Sequence, residues 1–230
     1  MFPKWTNALP TAAAVLAVGA LTSVVSGFWY WATPKFWEVG YMPRQPGYGF
    51  NHQIHAGKLG MDCRYCHSHV ETSYEANIPS VGVCYGCHQE GLLSPDFEPG
   101  EEKVGFVRTA YANDESIEWR RVHKLPDYVH NFPHHVHVQA GVSCYSCHGQ
   151  ITAMPIVYQA EPLSMAWCLD CHRQVQETPE LYLVPPSQVT RLQWVEEEYF
   201  ANPQAHQAEA QALLEALNFA PPENCGACHY

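Results

Sequence analysis

The sequence predicts a mostly irregular fold, with short α-helices packed around covalently held prosthetic groups and one N-terminal transmembrane helix. Three observations predict it. All ten cysteines of the 230-residue chain fall into five C-x-x-C pairs, each followed at once by a histidine. Ahead of them, residues 5–34 contain no charged side chain. The stretches between the pairs carry little sustained helical or strand periodicity.

The pairs are Cys63/Cys66, Cys84/Cys87, Cys144/Cys147, Cys168/Cys171 and Cys225/Cys228, and the histidines are His67, His88, His148, His172 and His229. C-x-x-C-H is the attachment signature of haem c. Two intervening residues put both sulfurs on one face of a helical turn, where they form thioethers with the haem vinyl groups. The adjacent histidine falls beneath the iron. If the histidines were scattered at random, five such coincidences would have odds of roughly one in a million. Zinc ribbons, disulfide scaffolds and iron–sulfur sites do not demand that histidine. The sequence therefore predicts five covalently bound haem c groups and the fold class of a multihaem cytochrome c.

In chain order, residues 1–33 form the anchor. TAAAVLAVGALTSVVSGFWYW is long and apolar enough to span a hydrocarbon core as one helix. Pro10 suits its first turn and Pro34 is expected to end it. Phe28, Trp29, Tyr30 and Trp31 gather at its end like an interfacial belt, with Phe36 and Trp37 just beyond. A cleaved signal peptide is the competing reading. The length of the run, the aromatic cluster and the lack of a small-residue cleavage site favour a retained anchor. Haem c is attached outside the bacterial inner membrane, so a single-pass topology with a periplasmic haem domain follows. Residues 34–49, rich in proline, glycine and aromatics, read as an irregular strap.

The haem region repeats internally. Phe50-Asn-His-Gln-Ile-His55 matches Phe132-Pro-His-His-Val-His137 as F-x-H-x-x-H. Cys63 follows His55 by eight positions and Cys144 follows His137 by seven. Each first C-x-x-C-H is succeeded by a second, giving dihaem modules over residues 50–102 and 132–180. Residues 103–131 form a charged connector. Residues 181–230 hold an irregular proline-containing stretch, a helix opening at Asn202-Pro203 and ending near Asn218, and the fifth motif. With about 200 residues for five haems, the haems themselves must supply most of the core. A formal charge of −11 argues against nucleic acid as a partner and for redox partners that dock through a basic face.

Five irons with histidine beneath them each need a sixth ligand. His52 and His134 hold equivalent repeat positions and are expected to serve the first haem of their own modules. His55 and His137, one turn on, are better placed for a neighbouring haem. His123 is the fifth choice. His69, His130, His135 and His206 are weaker candidates, expected behind the ligands or at the surface. Met154 and Met165 are more often core packing, although either can cap one iron and raise its potential.

PKFWEVGYMPRQP leading into FNHQIHAGKLGMDCRYCH, then WRRVHKLPD, CHGQITAMPIVYQAEPLSMAWCLDCHR and NFAPPENCGACH, resemble the pentahaem c-type cytochrome subunit of alternative complex III, a bacterial quinol:electron-acceptor oxidoreductase. The resemblance covers nearly the whole chain. It implies a membrane-anchored electron-transfer subunit among an iron–sulfur subunit, a membrane quinol-binding subunit and a monohaem cytochrome c or terminal oxidase. It also implies mostly bis-His haems with one His/Met haem, which carries onto His52, His55, His123, His134, His137 and Met165. A non-catalytic electron wire is thus the first functional reading. A membrane-anchored multihaem quinol dehydrogenase is the alternative, and the long strap ahead of the first motif speaks against it. A pentahaem nitrite reductase would resemble a C-x-x-C-K site, whereas all five motifs here end in histidine. No catalytic triad, phosphate loop or carboxylate pair is present to suggest other chemistry.

Overall fold

A computed structural model describes residues 3–93, 100–125, 129, 132–218 and 220–229. His130 lies outside the described residues. Helix α1, Leu9–Trp37, follows a 3₁₀ turn at Lys4–Ala8. The stretch Lys4–Trp29 has a mean hydropathy of 1.9 and buries nothing against the rest of the protein. Its 26 residues rise about 39 Å, enough for a hydrocarbon core of roughly 30 Å. A buried core helix would hide one face; this one hides none. By length and composition it is a candidate membrane span, although a signal sequence shares those properties.

The helix does not stop at Pro34 as the sequence led us to expect; it runs on to Trp37. A proline removes only its own bond to the carbonyl four residues back, and one missing bond did not end a helix 29 residues long. The chain then turns at Glu38 into extended backbone. The strap is fastened at once. Gly40 N–H donates to the Gln159 carbonyl at 2.7 Å, and Gln159 N–H donates to the Tyr41 carbonyl at 2.9 Å. Farther along, the Gln45 amide and the Arg120 backbone exchange two bonds of 2.9 Å each. Lys124 Nζ lies 5.4 Å over the Tyr41 ring.

The five C-x-x-C-H motifs all sit on helices: α2 (Cys63–Cys66), α3 (Val81–His88), α6 (Cys144–His148), α7 (Met165–Gln174) and α10 (Cys225–Cys228). Each is preceded by a residue suited to an N-cap, respectively Asp62, Ser80, Ser143, Ser164 and Asn224. The side chains of Asp62, Ser143 and Ser164 accept from the backbone N–H of Arg64, Tyr145 and Trp167. These caps let helices as short as four residues start where propensity alone would not form them.

Between the modules the charged connector opens within a helix. Glu101–Ala112 forms helix α4, which packs on α3. Val104, Val107 and Ala110 recur every third residue and are buried, while Glu101 and Glu102 occupy the first turn, where the helix dipole favours them. Helix α5 is His134–Gln139, α8 is Leu192–Trp194 and α9 is Pro203–Leu217. Asn218, in the left-handed region at φ +51°, closes α9. Among the described residues the only β pairing is an isolated antiparallel bridge between Val142 and Leu183.

The polypeptide core comes from an unexpected place. Residues 181–200, which read as irregular, contribute Val184, Val189, Val195 and Tyr199, all fully buried. They pack with Val70 and Val138 and are flanked by Ala76, Tyr145, Trp194 and Phe200. Residues of both modules therefore lean on one late segment. Gly141 makes this approach possible: at φ +91° it lies so close to the Val184 carbonyl that a Cβ would overlap it.

Candidate functional site

The two F-x-H-x-x-H segments fold into the same constellation. Phe50 stacks on His55 with centroids 4.4 Å apart and meets His52 edge-on at 4.7 Å. Phe132 stacks on His137 at 4.4 Å and meets His134 edge-on at 5.0 Å. His55 Nδ1 lies 2.8 Å from the Asn51 carbonyl, and His137 Nδ1 lies 2.9 Å from the Pro133 carbonyl. A carbonyl can only accept, so the proton sits on Nδ1 and Nε2 keeps its lone pair for a metal.

The same device recurs on three more rings. His67 Nδ1 meets the Asn77 carbonyl at 2.6 Å, His134 Nδ1 the Tyr74 carbonyl at 2.6 Å and His172 Nδ1 the Pro222 carbonyl at 2.7 Å. The His172 bond also ties the fifth motif to the fourth. Arg173 Nε donates to Glu223 at 2.8 Å beside it.

Rings then pair across the modules' interiors. His55 and His88 have centroids 6.0 Å apart, and His137 and His172 have centroids 6.3 Å apart. An iron held from both sides by imidazole nitrogens at roughly 2 Å places ring centroids roughly 6 Å apart. In each module, then, the second upstream histidine faces the histidine of the second motif. The remaining rings cluster. His52 lies in the field of His67, His55 and His123, and His148 in that of His123, His134, His67 and His52. His123 meets His148 edge-on at 4.3 Å. His134 also lies near His148, and its Nδ1 is bonded to Tyr74 on the loop that follows the first motif. The leading sites of the two modules therefore share one group of imidazoles.

Burial holds these rings neutral. It is the largest cause lowering His52 to about 4, with neighbouring imidazoles adding to it, and it alone lowers His123 to about 4. Burial also pushes His148 well below its usual range and lowers His137. Neutral imidazole is the form that binds iron.

None of the ten cysteines is paired in a disulfide, and they are not housed alike. Burial raises Cys147 to about 12 and Cys171 to about 11, so these sulfurs are neutral groups in apolar surroundings, which suits thioethers. Cys63, Cys66, Cys84, Cys144 and Cys168 are partly covered. Cys87 is exposed, although its partner Cys84 on the same helix is not. Cys225 and Cys228 of the fifth motif are exposed as well. The reason is which face of each turn the polypeptide covers. Helix α3, which carries both Cys84 and Cys87, packs against α4. The four-residue α10 is bound to the rest of the domain through the loop ahead of it, at Pro222 and Glu223, and its own sulfurs gain no cover from that. At these three positions the chain itself builds no wall around the sulfur.

The site as a whole fits haem. His52 Nδ1, His123 Nε2, His135 Nδ1 and His148 Nδ1 are buried with no hydrogen-bond partner. Each such atom costs about 1–3 kcal/mol unless something outside the polypeptide satisfies the site. A cavity of about 690 Å³ opens beside Cys66, walled by Ile78, Val81 and Trp119. Among the described residues no three Cys, His, Asp or Glu side chains converge as a structural zinc site needs. Pairs of opposed imidazoles beside C-x-x-C turns are what remains.

Residues 130–230 match the family model of cytochrome c7 and related cytochrome c. The chain has a multihaem cytochrome c fold. This cytochrome is also 32% identical over 136 residues to the menaquinone reductase multihaem cytochrome c subunit of Nitratidesulfovibrio vulgaris. The match covers 59% of this chain and 59% of that relative. The chain is thus similar over part of its length to a subunit of a quinone reductase.

Other expected groups are placed as follows. Met165 opens α7 and is 62% exposed, whereas Met154 is buried at 4% and packs in the interior. His69 is exposed. His135 meets Tyr74 edge-on at 5.2 Å. His206, expected at the surface, is partly covered and stacks on Tyr199 at 4.1 Å. Its spacing in the polar face of α9 gave no hint of this, because the contact comes from residues 181–200.

Proposed function

We propose that this cytochrome is the electron-transfer subunit of a membrane complex of the alternative complex III type. It carries electrons through five haems from an iron–sulfur or quinol-oxidising partner to a monohaem cytochrome or terminal oxidase. The observation that carries the reading is the pair of opposed rings, His55 with His88 and His137 with His172, at the separations of a six-coordinate iron. Rings so opposed would hold an iron from both sides, which suits it to electron exchange and leaves no face for a substrate.

Each haem, once attached, supplies a one-electron Fe(III)/Fe(II) couple. The chain's residues do the rest. The five cysteine pairs, Cys84/Cys87 among them, hold the macrocycles. His52 completes the site of His67, His55 that of His88, and His137 that of His172. His148 draws its partner from His123 or His134, which both adjoin it. Met165, on the helix that carries the fourth motif, is offered to the site of His229. Backbone carbonyls at Asn51, Tyr74, Asn77, Pro133 and Pro222 hold five of these imidazoles in one tautomer and orientation. Helix α1 retains the protein in the inner membrane with the haem domain in the periplasm.

A second reading takes support from the name of the relative: electrons would run the other way, toward menaquinone. Low-temperature EPR combined with a redox titration tests both. Five low-spin irons are expected; a high-spin, ligand-accessible iron would overturn the wire. Mild detergent extraction should yield a multi-subunit assembly, and whether that assembly oxidises quinol or reduces quinone decides the direction.

A further inference from the structure

The first haem-binding turn differs from the other four in carrying a cation between its cysteines. Arg64 stands where the others have Tyr85, Tyr145, Leu169 and Gly226. Its guanidinium is fully engaged. Nε and Nη2 donate to the two carboxylate oxygens of Asp62 at 2.9 and 3.0 Å. Nη1 donates to Glu71 at 3.1 Å, and Nη2 also reaches Thr190 Oγ1 at 3.4 Å. The Thr190 hydroxyl in turn donates to Asp62 Oδ2 at 2.9 Å. A planar fork held at three residues is far more constrained than an ordinary surface pair.

The next residue back does the same for the other module. The Val189 carbonyl accepts from Ser143 Oγ at 2.8 Å and from Cys144 N–H at 3.2 Å. Asp62 and Ser143 occupy equivalent repeat positions, as the N-caps of α2 and α6. Two consecutive residues of the buried late segment therefore grip the caps of both leading haem-binding turns. Their first cysteines, Cys63 and Cys144, meet as a result.

We infer that residues 189–190 form a joint that sets the spacing of the first and third haem-binding turns, and that Arg64 is the positioning residue that locks the joint and raises the electron affinity of the first haem. The inference rests on the electron-transfer reading and adds to it the place where the two modules are coupled. Without the guanidinium, the carboxylates of Asp62 and Glu71 stand uncompensated beside the first turn and disfavour an added electron.

The test uses the full-length, haem-loaded protein with R64Q, R64K and T190V. Haem content is counted by pyridine haemochromogen, and midpoint potentials are followed optically and by EPR. In R64Q five low-spin haems remain, one midpoint falls while the other four hold, and R64K restores it. In T190V, which keeps every charge, the midpoints hold but the influence of one haem's reduction on another's potential changes. R64Q curves superimposable on the parent's, or five midpoints shifting together, would overturn the role of Arg64. If R64Q loses haem, T190V decides alone, and unaltered haem–haem coupling sinks the joint. Failure of the underlying reading shows separately, as a high-spin iron in the parent protein.

Discussion

The two histidine-bearing turns place their rings alike and are wound differently. In the second module His134–Gln139 is α-helix; in the first, Gln53–Lys58 is a π-helix. The cause is one residue. His55 lies eight positions before Cys63, and His137 lies seven before Cys144. Counting back from the cysteines, Gly60 and Gly141 coincide, and both have positive φ, +67° and +91°. The extra residue therefore falls between His55 and Gly60. A π-turn is an α-turn with one residue inserted, and the bonds show it: Leu59 N–H reaches the Ile54 carbonyl at 2.9 Å, whereas Ala140 N–H reaches Val136 at 3.0 Å. The widened turn absorbs the insertion upstream of the glycine, so the ring pairs His55–His88 and His137–His172 end within 0.3 Å of each other in separation. The ring separation is kept and the backbone yields, although the ring planes meet at 65° in the first pair and 30° in the second.

The comparison can be broken most sharply by deletion. Removing Ala56 should turn the π-turn into an α-turn and leave five low-spin haems. Removing Gln139 from a turn with nothing to spare should cost at least one low-spin signal in EPR. Equal tolerance of the two deletions would contradict the insertion account.

Next in size come the ligands. His55→Ala and His137→Ala should each retain five attached haems, because the thioethers remain, and each should convert one iron to high-spin. The two variants should give matching spectra. His123→Ala and His134→Ala decide by the same measurement which of them serves His148.

The glycines should respond unequally. Gly141→Ala would place a methyl against the Val184 carbonyl, whereas Gly60→Ala meets nothing within 4 Å. Backbone strain at positive φ costs about 1–2 kcal/mol in both. The collision adds to it at Gly141 alone, so thermal melting should fall several degrees further for that variant. The smallest effect concerns the caps. Hydrogen bonds from Arg64 are the main cause holding Asp62 near 2, below its usual 3.8. A depressed carboxyl stabilises the fold above its unfolded pKa and loses that contribution as pH falls through the folded one. Stability should therefore drop between about pH 4 and pH 2, and Asp62→Asn should flatten that window in acid titrations, while Ser143→Ala should show no such pH dependence.

What could be read from the sequence was whatever local chemistry alone specifies. The C-x-x-C-H turns, the F-x-H-x-x-H repeat, the apolar first helix and the span of α9 all declare themselves in neighbouring residues. The helix at Glu101–Ala112 was legible too, through Val104, Val107 and Ala110, but its charged opening drew attention away from that spacing. The N-cap residue ahead of each motif is likewise visible in retrospect. The unequal cover of the cysteines was not. Cys87 and Cys147 hold the same place in their motifs, yet one is exposed and the other lies deep, because burial depends on what packs over each turn and not on the motif. Residues 181–200 were not legible either. Leu183 and Val184 follow no period and Pro185 and Pro186 interrupt the run; Val189, Leu192, Val195 and Tyr199 do recur at helical spacing, but that spacing does not say what they pack against. Their burial is imposed by Gly141, Val70 and Val138 from far away in the chain, and no local pattern records that. The bond from His134 to the Tyr74 carbonyl was not legible either, because equivalence of position within a module does not say which loop a ring's Nδ1 will meet.

The fastening of Gly40 and Tyr41 to Gln159 has one more consequence. Only Glu38 and Val39 separate it from the end of α1. With α1 retained as an anchor, as proposed above, a tether that short would leave the domain little room to swing, and partners would have to come to it.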